Sequence, residues 1–236
     1  MTNNINFIQE HYQDQIKAYK AFIKDAYPYL PNRDNSLIRF GGGTALAIYY
    51  FQHRLSFDID LFATDIQILN YLSPKHWIEE TNLFNSNSYI DLSNHIRVLH
   101  KENNIKIDVQ VAQEASKDYL IDDSKKIFDT TIYVESIEDI IAKKIVYRRN
   151  DNLTRDIIDI AISIKYADNV LQQLYDLEKI NKNDVQELYN SLLELDFNTF
   201  KEEVEIVQPF EKYLDDASNA PEIIKKVCSE ILLQSK

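Results

Sequence analysis

The segment that decides the fold covers residues 40–62 and reads Phe-Gly-Gly-Gly-Thr-Ala-Leu-Ala-Ile-Tyr-Tyr-Phe-Gln-His-Arg-Leu-Ser-Phe-Asp-Ile-Asp-Leu-Phe. The protein contains three glycines, and all three are adjacent at positions 41–43 of this segment. Consecutive glycines indicate a point where the backbone takes a positive φ or is approached closely by another group. Residues 36–40 before them are predicted to form a strand and residues 44–53 after them a helix, so the glycines form a strand-to-helix turn.

A glycine turn at the start of a helix suits phosphate binding, because free backbone N–H groups and the helix dipole both favour an anion. Gly42 and Gly43 are therefore candidate phosphate-binding residues, and the hydroxyl of Thr44 adds a donor. The glycines are contiguous and no lysine follows them, which excludes the P-loop pattern. The dinucleotide-binding pattern G-x-G-x-x-G is excluded as well.

The end of the segment, residues 56–62, alternates in polarity and is predicted to be a strand. Its polar face carries Ser56, Asp58 and Asp60, and the two carboxylates are about 6.5–7 Å apart at Cα. Carboxylates this close need solvent or a cation between them, and their oxygen atoms suit Mg²⁺. The alternative is a solvated strand face at a sheet edge.

The remaining pattern predicts a sheet followed by helices. A helix is expected over residues 5–30 and another from Ser73-Pro74 to about Leu83, and further strands are expected at 95–100, 105–112 and 131–134. Helices then follow near residues 137–149, 154–167, 169–179, 183–195, 198–213 and 220–235. This is an α+β layout, with a sheet domain over residues 1–135 that includes the N-terminal helix and a helical domain over residues 136–236.

The composition is that of a globular protein of 236 residues with a formal net charge of −12. This charge disfavours a broad nucleic-acid surface but leaves room for a local basic patch. The single cysteine, Cys228, excludes a disulfide within the chain and indicates a reducing compartment. The N-terminal residues do not resemble a secretory signal, and no apolar run reaches the ~18 residues of a membrane span. A soluble, cytoplasmic protein is expected.

The residues from Phe40 to Leu46 and from His53 to Phe62 resemble the signature of the AbiEii/AbiGii toxin family. These proteins are nucleotidyltransferases of the DNA polymerase β type, found in bacterial abortive-infection and toxin–antitoxin systems. The resemblance continues through residues 138–145 and 155–160, so it spans roughly residues 39–160. It implies a polymerase-β-like nucleotidyltransferase domain with a mixed or antiparallel sheet, followed by a C-terminal helical bundle domain.

The resemblance implies transfer of a nucleoside monophosphate from an NTP to an acceptor hydroxyl, with release of pyrophosphate. Mg²⁺ or Mn²⁺ would be held by Asp58, Asp60 and a third carboxylate on a neighbouring strand. Asp108, on the polar face of the strand 105–112, is the candidate, and Asp91 is the weaker alternative. An RNA acceptor is implied, with the tRNA 3′ end favoured, together with a cognate antitoxin encoded nearby. The alternative function is a noncatalytic protein of the same fold that binds a partner or RNA.

The predicted helix at 137–149 supplies further candidates. Lys144 and Arg148 are like charges at i,i+4, which is unfavourable unless an anion joins them, so they are candidate triphosphate ligands. The family resemblance also nominates Asp156 and Asp159, although acids are favoured near a helix N-terminus in any case.

The chain departs from the family at one position of the turn. Many members have lysine immediately before Gly-Gly-Thr, where this chain has Gly41. Arg39, two positions earlier, is the candidate substitute.

Overall fold

The computed structural model describes residues 4–111 and 118–234, and the chain divides into two units. The sheet unit comprises Met1–Tyr49 and Ser56–Ser136, and the helical unit comprises Tyr50–Leu55 and Ile137–Lys236. The sequence placed residues 50–55 within the sheet domain, whereas in the structure this segment groups with the helices.

The sheet unit contains a seven-stranded mixed sheet with the order β3-β4-β5-β2-β1-β7-β6. Pairs β2–β5 and β1–β7 are parallel, and the other neighbours are antiparallel. The α+β class predicted from the sequence is thus confirmed. The strands are β1 (Ile38–Gly41), β2 (Ile59–Ala63), β3 (Ile90–Leu92), β4 (His95–Leu99), β5 (Lys106–Val111), β6 (Tyr119–Asp122) and β7 (Ile132–Glu135).

One face of the sheet forms the core of its unit. Alternate residues of the central strands are fully buried on this face, among them Ile59, Leu61, Ile107 and Val109. The opposite face carries the polar residues of the same strands, because successive side chains of a strand point to opposite sides. This second face is called the polar face below, and it presents Asp60 and Asp108.

The helices of the sheet unit differ from the sequence prediction at two places. The helix expected over residues 5–30 is broken at Tyr12, and the helix expected from Ser73 to Leu83 is wrong, since only a 3-10 turn at Pro74–His76 forms there. The chain beyond this turn instead buries apolar side chains, with Trp77 donating from its ring nitrogen to the Leu72 carbonyl. The helices observed are α1 (Ile5–His11), α2 (Gln13–Ala26), α3 (Gly42–Ala45, continued by a π-helix at Leu46–Phe51) and α4 (Ile66–Leu72).

The helical unit follows the predicted sequence of helices closely. The helix expected over residues 198–213 ends earlier, at Val207, where Gln208 takes a left-handed conformation before Pro209. The helices are α5 (Ile137–Arg148), α6 (Thr154–Tyr166), α7 (Val170–Asp176), α8 (Lys182–Leu193), α9 (Phe197–Val207), α10 (Leu214–Ser218) and α11 (Ala220–Gln234). Within the described ranges, none of the helices has the length and apolar character to cross a membrane.

Candidate active site

Two candidate carboxylates meet at the centre of the sheet. Asp60 on β2 and Asp108 on β5 are direct partners across the parallel strand pair, so both side chains lie on the polar face. Asp58 was expected on the same strand as Asp60, but β2 begins only at Ile59. Asp58 lies in the extended segment before the strand, with 36% of its side chain exposed and Oδ1 4.0 Å from the Lys106 ammonium nitrogen.

Asp108 is held by two basic side chains from the antiparallel neighbour β4. The guanidinium of Arg97 donates from Nε to Oδ1 at 2.7 Å and from a terminal nitrogen to Oδ2 at 3.2 Å. His95 Nε2 lies 2.5 Å from Oδ1. An ionised carboxylate has about four acceptor positions, so Asp108 keeps one free position on Oδ2 for a proton or a cation.

Asp91, the weaker alternative for the third carboxylate, lies on the other side of the sheet. Its partner on β4 is Ile96, which is fully buried in the core face, whereas Asp108 is paired with Arg97. Asp91 accepts a hydrogen bond from Ser73 and pairs with Lys75 at 2.7 Å. The geometry therefore favours Asp108.

Gly42 brings the glycine turn into direct contact with Asp60. It has a φ of +68°, and a Cβ atom at this position would lie 2.1 Å from Asp60 Oδ2. Both features exclude a side chain, since a positive φ is rarely adopted by other residues and the space is already filled. The close backbone approach predicted from the three glycines thus brings Gly42 against the carboxylate of Asp60.

Gly41, at the position where many family members have lysine, has no room for a side chain. A Cβ atom there would lie 2.0 Å from a carboxylate oxygen of Glu135 and 2.7 Å from the Phe62 ring. Glu135 is buried, and its strand β7 runs beside β1. The guanidinium of Arg39 donates to the Ser36 carbonyl and stacks on Tyr119.

Thr44 is fully buried, and its hydroxyl bonds within the protein. The Thr44 hydroxyl has one proton and donates it to the Asp58 carbonyl, which can only accept. In the second contact, between Thr44 Oγ1 and Ser56 Oγ at 2.7 Å, the Ser56 hydroxyl is therefore the donor. Gln15 donates to the Ser56 carbonyl at 2.6 Å. These side chains engage the carbonyls of residues 56 and 58 and hold the segment that carries Asp58.

Thr44→Val is therefore expected to lower kcat about tenfold with little change in the KM for NTP, because Asp58 loses its support while the binding groups remain. It is also expected to reduce the unfolding free energy by about 1 kcal/mol, since the part-buried Asp58 carbonyl loses the hydroxyl that donates to it. Thr44→Ser keeps the hydroxyl and should restore kcat. A Thr44→Val enzyme with native kcat, measured by steady-state kinetics, would show that Thr44 does not position Asp58.

The candidates Lys144, Asp156 and Asp159 form a buried cluster inside the helical unit. Lys144 bonds to Asp156 and lies 3.0 Å from Asp159 Oδ2. Asp159, which has no exposed surface, also accepts two hydrogen bonds from the Arg54 guanidinium at 2.7 and 2.8 Å. Arg148, by contrast, is 44% exposed and only reaches Asp156 at 3.4 Å.

The charges of this cluster shift the pKa values of its members. Burial by itself would raise the pKa of Asp159, but Arg54 and Lys144 beside it hold that pKa well below its usual range. Burial lowers the pKa of His53, whose Nε2 lies 2.7 Å from Asp159 Oδ1. A neutral His53 therefore donates from Nε2 to a charged Asp159.

Acidification is expected to destabilise the protein in two steps. His53 has a folded pKa below its unfolded value of 6.5, so its contribution is complete above pH 6.5 and is lost as the pH falls toward the folded pKa. The low pKa of Asp159 acts in the same direction below its unfolded value of 3.8. Urea unfolding between pH 7.5 and pH 5 should show this loss, and His53→Gln should flatten it. An unchanged slope in His53→Gln would contradict the assignment.

The carboxylates of Asp58 and Asp60 fit a divalent cation in part. Asp58 and Asp60 supply two carboxylates, which is the protein contribution that Mg²⁺ takes when phosphate oxygens and water complete its shell. Within residues 4–111 and 118–234, no group of three histidine, cysteine or acidic side chains is gathered closely enough to bind a metal by itself. The donor set therefore suits a metal that arrives with a nucleotide triphosphate.

The sequence that contains the glycine turn and the carboxylates matches a known protein family. A model of the family described as the nucleotidyl transferase AbiEii toxin of a type IV toxin–antitoxin system matches residues 30–119, which include the turn, Asp58, Asp60 and Asp108. Residues 30–119 are thus similar to an AbiEii nucleotidyltransferase domain. The matched range ends before Lys144, Asp156 and Asp159, so the match covers the sheet-unit candidates alone.

Three solved structures are similar to this chain. A candidate nucleotidyltransferase from H. pylori is 17% identical, with 96% of each chain covered and a TM-score of 0.49. JHP933 from Helicobacter pylori is 17% identical, with 92% of this chain and 90% of the other covered and a TM-score of 0.46. MenT4, a nucleotidyltransferase toxin from Mycobacterium tuberculosis, is 16% identical, with 95% and 100% covered and a TM-score of 0.36. No curated protein matches the chain in sequence.

Sequence reasoning missed the partners of the carboxylates. Arg97 and His95 were not singled out, although both lie at alternate positions of β4, and antiparallel pairing with β5 places Arg97 opposite Asp108. Glu135 was missed because its relation to Gly41 depends on the parallel pairing of β1 with β7. The strand alternation could have identified Arg97, whereas nothing local pointed to Glu135.

Proposed function

We propose that the protein transfers a nucleoside monophosphate from an NTP to an RNA hydroxyl, with the 3′ end of tRNA as the favoured acceptor. The observation that carries this proposal is the direct pairing of Asp60 with Asp108 on the polar face, with the Gly42 backbone against Asp60. The closeness of two carboxylates to the glycine turn supports the proposal that one substrate contacts all three.

The nucleotide is proposed to bind at the glycine turn. The backbone N–H groups of Gly42 and Gly43 would bind the phosphates, and the Asp60 carboxylate lies directly against Gly42. Ser56, whose proton is engaged by Thr44, would act through its remaining acceptor capacity or through a bridging water. Asp58 and Asp60 would hold Mg²⁺ or Mn²⁺, which when bound neutralises the charge that develops on the phosphates.

The transfer forms one bond and breaks one. The acceptor hydroxyl oxygen bonds to the α-phosphorus, the bond from the α-phosphorus to the bridging oxygen breaks, and pyrophosphate leaves. Asp108 is proposed to accept the hydroxyl proton at its free position on Oδ2, while Arg97 and His95 keep the carboxylate oriented. Catalysis then rests mainly on positioning and charge stabilisation.

The basic residues of α5 enter the proposal differently. Lys144 has two carboxylate partners within the helical unit, which account for its charge without a ligand. Arg148 is the more exposed of the two and keeps the predicted role of an anion-binding residue. The proposed chemistry requires the sheet-unit residues and does not depend on either side chain.

The first experiment incubates the purified protein with Mg²⁺, each α-³²P-labelled NTP in turn and total bacterial RNA. RNA labelled by the native protein, and not by Asp58→Ala or in the presence of EDTA, is the expected result. The nucleotide and the size of the labelled RNA then identify the donor and the acceptor class. Metal-dependent NTP binding without labelled RNA would exclude an RNA acceptor, and the absence of NTP binding would support the noncatalytic alternative.

The cellular role is proposed from the family description. As the toxin of a toxin–antitoxin pair, the protein should arrest growth when it is expressed alone, and a cognate antitoxin encoded nearby should relieve the arrest. Expression of Asp58→Ala should leave growth unaffected. Equal arrest by the native and Asp58→Ala proteins would show that toxicity does not require nucleotidyl transfer.

A further inference from the structure

The polar face carries an aromatic and cationic cluster on strands β1, β7 and β6, formed by Arg39, Tyr133 and Tyr119. The guanidinium carbon of Arg39 lies 4.1 Å from the centre of the Tyr119 ring and 5.6 Å from that of Tyr133. The two rings are 5.8 Å apart with their planes at 56°. Arg39 is buried, whereas Tyr119 is 41% exposed. The Tyr119 ring is therefore accessible to solvent, and the buried Arg39 guanidinium lies against it.

The strand register aligns this cluster with the reacting carboxylates. Tyr119 is paired with Glu135 across β6 and β7. Strands β1 and β7 are parallel and pair Phe40 with Val134, so the next residue of each strand, Gly41 and Glu135, are also neighbours. Gly41 is paired with Asp60, and Asp60 with Asp108. One row across the sheet therefore runs from Tyr119 to Asp108. Three strand spacings separate Tyr119 from Asp60, a distance of about 14 Å at Cα.

We propose that Tyr119 and Tyr133, with Arg39 behind them, form a stacking platform for an unpaired nucleobase of the RNA acceptor. This inference rests on the proposed transfer to RNA. Aromatic rings beside a guanidinium are the groups on which single-stranded bases stack, since every base has a π-face. A protein with a net charge of −12 needs a local site of this kind to hold an RNA end, because its overall field repels the phosphates.

The distance favours the acceptor over the NTP as the source of the base. Within one nucleotide, the distance from the α-phosphate to the base is shorter than the distance from Asp60 to Tyr119. The base of an NTP bound at the carboxylates therefore lies nearer to Asp60 than Tyr119 does. A strand whose terminal hydroxyl lies at Asp108 continues past its last nucleotide and reaches the platform with a preceding base.

The test uses the full-length protein without NTP and short single-stranded oligoribonucleotides that carry 2-aminopurine at successive positions from the 3′ end. Stacking on an aromatic ring quenches this base, so the native protein should quench it most strongly at one position before the terminal nucleotide. Tyr119→Leu should abolish the quenching and weaken binding about tenfold. Tyr119→Phe keeps the ring and should retain the quenching.

The matched control is Tyr71→Leu, the same substitution at a tyrosine on α4 that is 46% exposed. Binding by Tyr71→Leu should equal that of the native protein. Equal binding by Tyr119→Leu, or equal losses in both variants, would overturn the proposal. A rise in the KM for NTP in Tyr119→Leu with unchanged oligonucleotide binding would assign the platform to the NTP base and would also overturn it.

A crosslinking measurement on the native protein needs no variant to fold. Oligoribonucleotides containing 4-thiouridine should crosslink on irradiation to peptides that contain Tyr119 or Tyr133, and crosslinks confined to other peptides would contradict the platform. Both measurements are made without turnover. Base stacking at Tyr119 without transfer of label would thus contradict the proposed function alone, and transfer without stacking would contradict the platform alone.

Discussion

Asp60→Asn is expected to lower kcat for nucleotidyl transfer by about 10³-fold while the protein remains folded. Asp60 is one of the two carboxylates proposed to hold the metal, and the stabilisation that a metal gives to the charged transition state is several kcal/mol, with each tenfold in rate worth about 1.4 kcal/mol. Asparagine has the same shape and keeps the contact with Gly42, so the change removes the charge alone.

The folded state should tolerate this substitution. Asp60 lies directly opposite Asp108, and removing one of two neighbouring carboxylate charges relieves their repulsion. The melting temperature of Asp60→Asn should stay close to that of the native protein, because the lost attraction between Asp60 and Arg97 offsets the relieved repulsion. A variant that melts normally and keeps kcat within tenfold of the native value would show that Asp60 is not a metal ligand.

A control substitution of another aspartate tests whether the loss of activity is specific to Asp60 or follows from removing any carboxylate of the sheet unit. Asp129 pairs with Lys20 at 2.7 Å, and its side chain is 73% exposed. It has a φ of +59°, which asparagine adopts readily. Asp129→Asn should leave kcat unchanged, and the comparison of the two variants under saturating NTP and Mg²⁺ measures the specific effect.

Asp159→Asn is expected to reduce the unfolding free energy by about 3–5 kcal/mol, the cost of breaking a buried ion pair by removing one partner. Asp159 has no exposed surface and receives hydrogen bonds from Arg54 on two oxygens, with Lys144 at 3.0 Å. Asparagine cannot neutralise these cations, so the variant leaves buried positive charge without compensation. This stability effect lies in the helical unit and is separate from the chemistry of the polar face.

Urea unfolding followed by far-UV circular dichroism measures the loss. Asp176→Asn is the matched control, because Asp176 is an exposed acid of the same unit that accepts a hydrogen bond from Gln172. Its effect should stay within about 0.5 kcal/mol, as for most surface substitutions. If Asp159→Asn costs less than about 1 kcal/mol, the cluster is hydrated or rearranges, and the low pKa of Asp159 has a different cause.

The sequence by itself determined the features that depend on local chain geometry. The glycine run predicted a turn with close backbone approach, and Gly42 has the positive φ and the filled space that this implies. Strand alternation predicted that Ile59 and Leu61 would be buried and Asp60 would lie on the other face. These signals are readable because side-chain direction in a strand repeats every two residues, whatever the strand packs against.

The helix prediction from Ser73 was wrong because it relied on a local signal alone. Ser-Pro is a favourable helix start. The chain beyond it instead forms a loop that buries the apolar side chains of Trp77, Ile78 and Phe84 in the core. Likewise, the segment before Ile59 lies outside the sheet, because its backbone carbonyls accept hydrogen bonds from the side chains of Thr44 and Gln15. Tertiary contacts override local propensity where they bury more surface or satisfy more polar groups.

Only the tertiary structure decided which residues meet. Asp60 and Asp108 are neighbours because β2 and β5 pair in parallel across a long connection, and no local pattern specifies that pairing or its register. The same applies to Arg97 against Asp108, to Glu135 in the space beside Gly41 and to Arg54 against Asp159. Side-chain chemistry can be read residue by residue, but contacts between distant segments follow from the order of the strands and the packing of the helices.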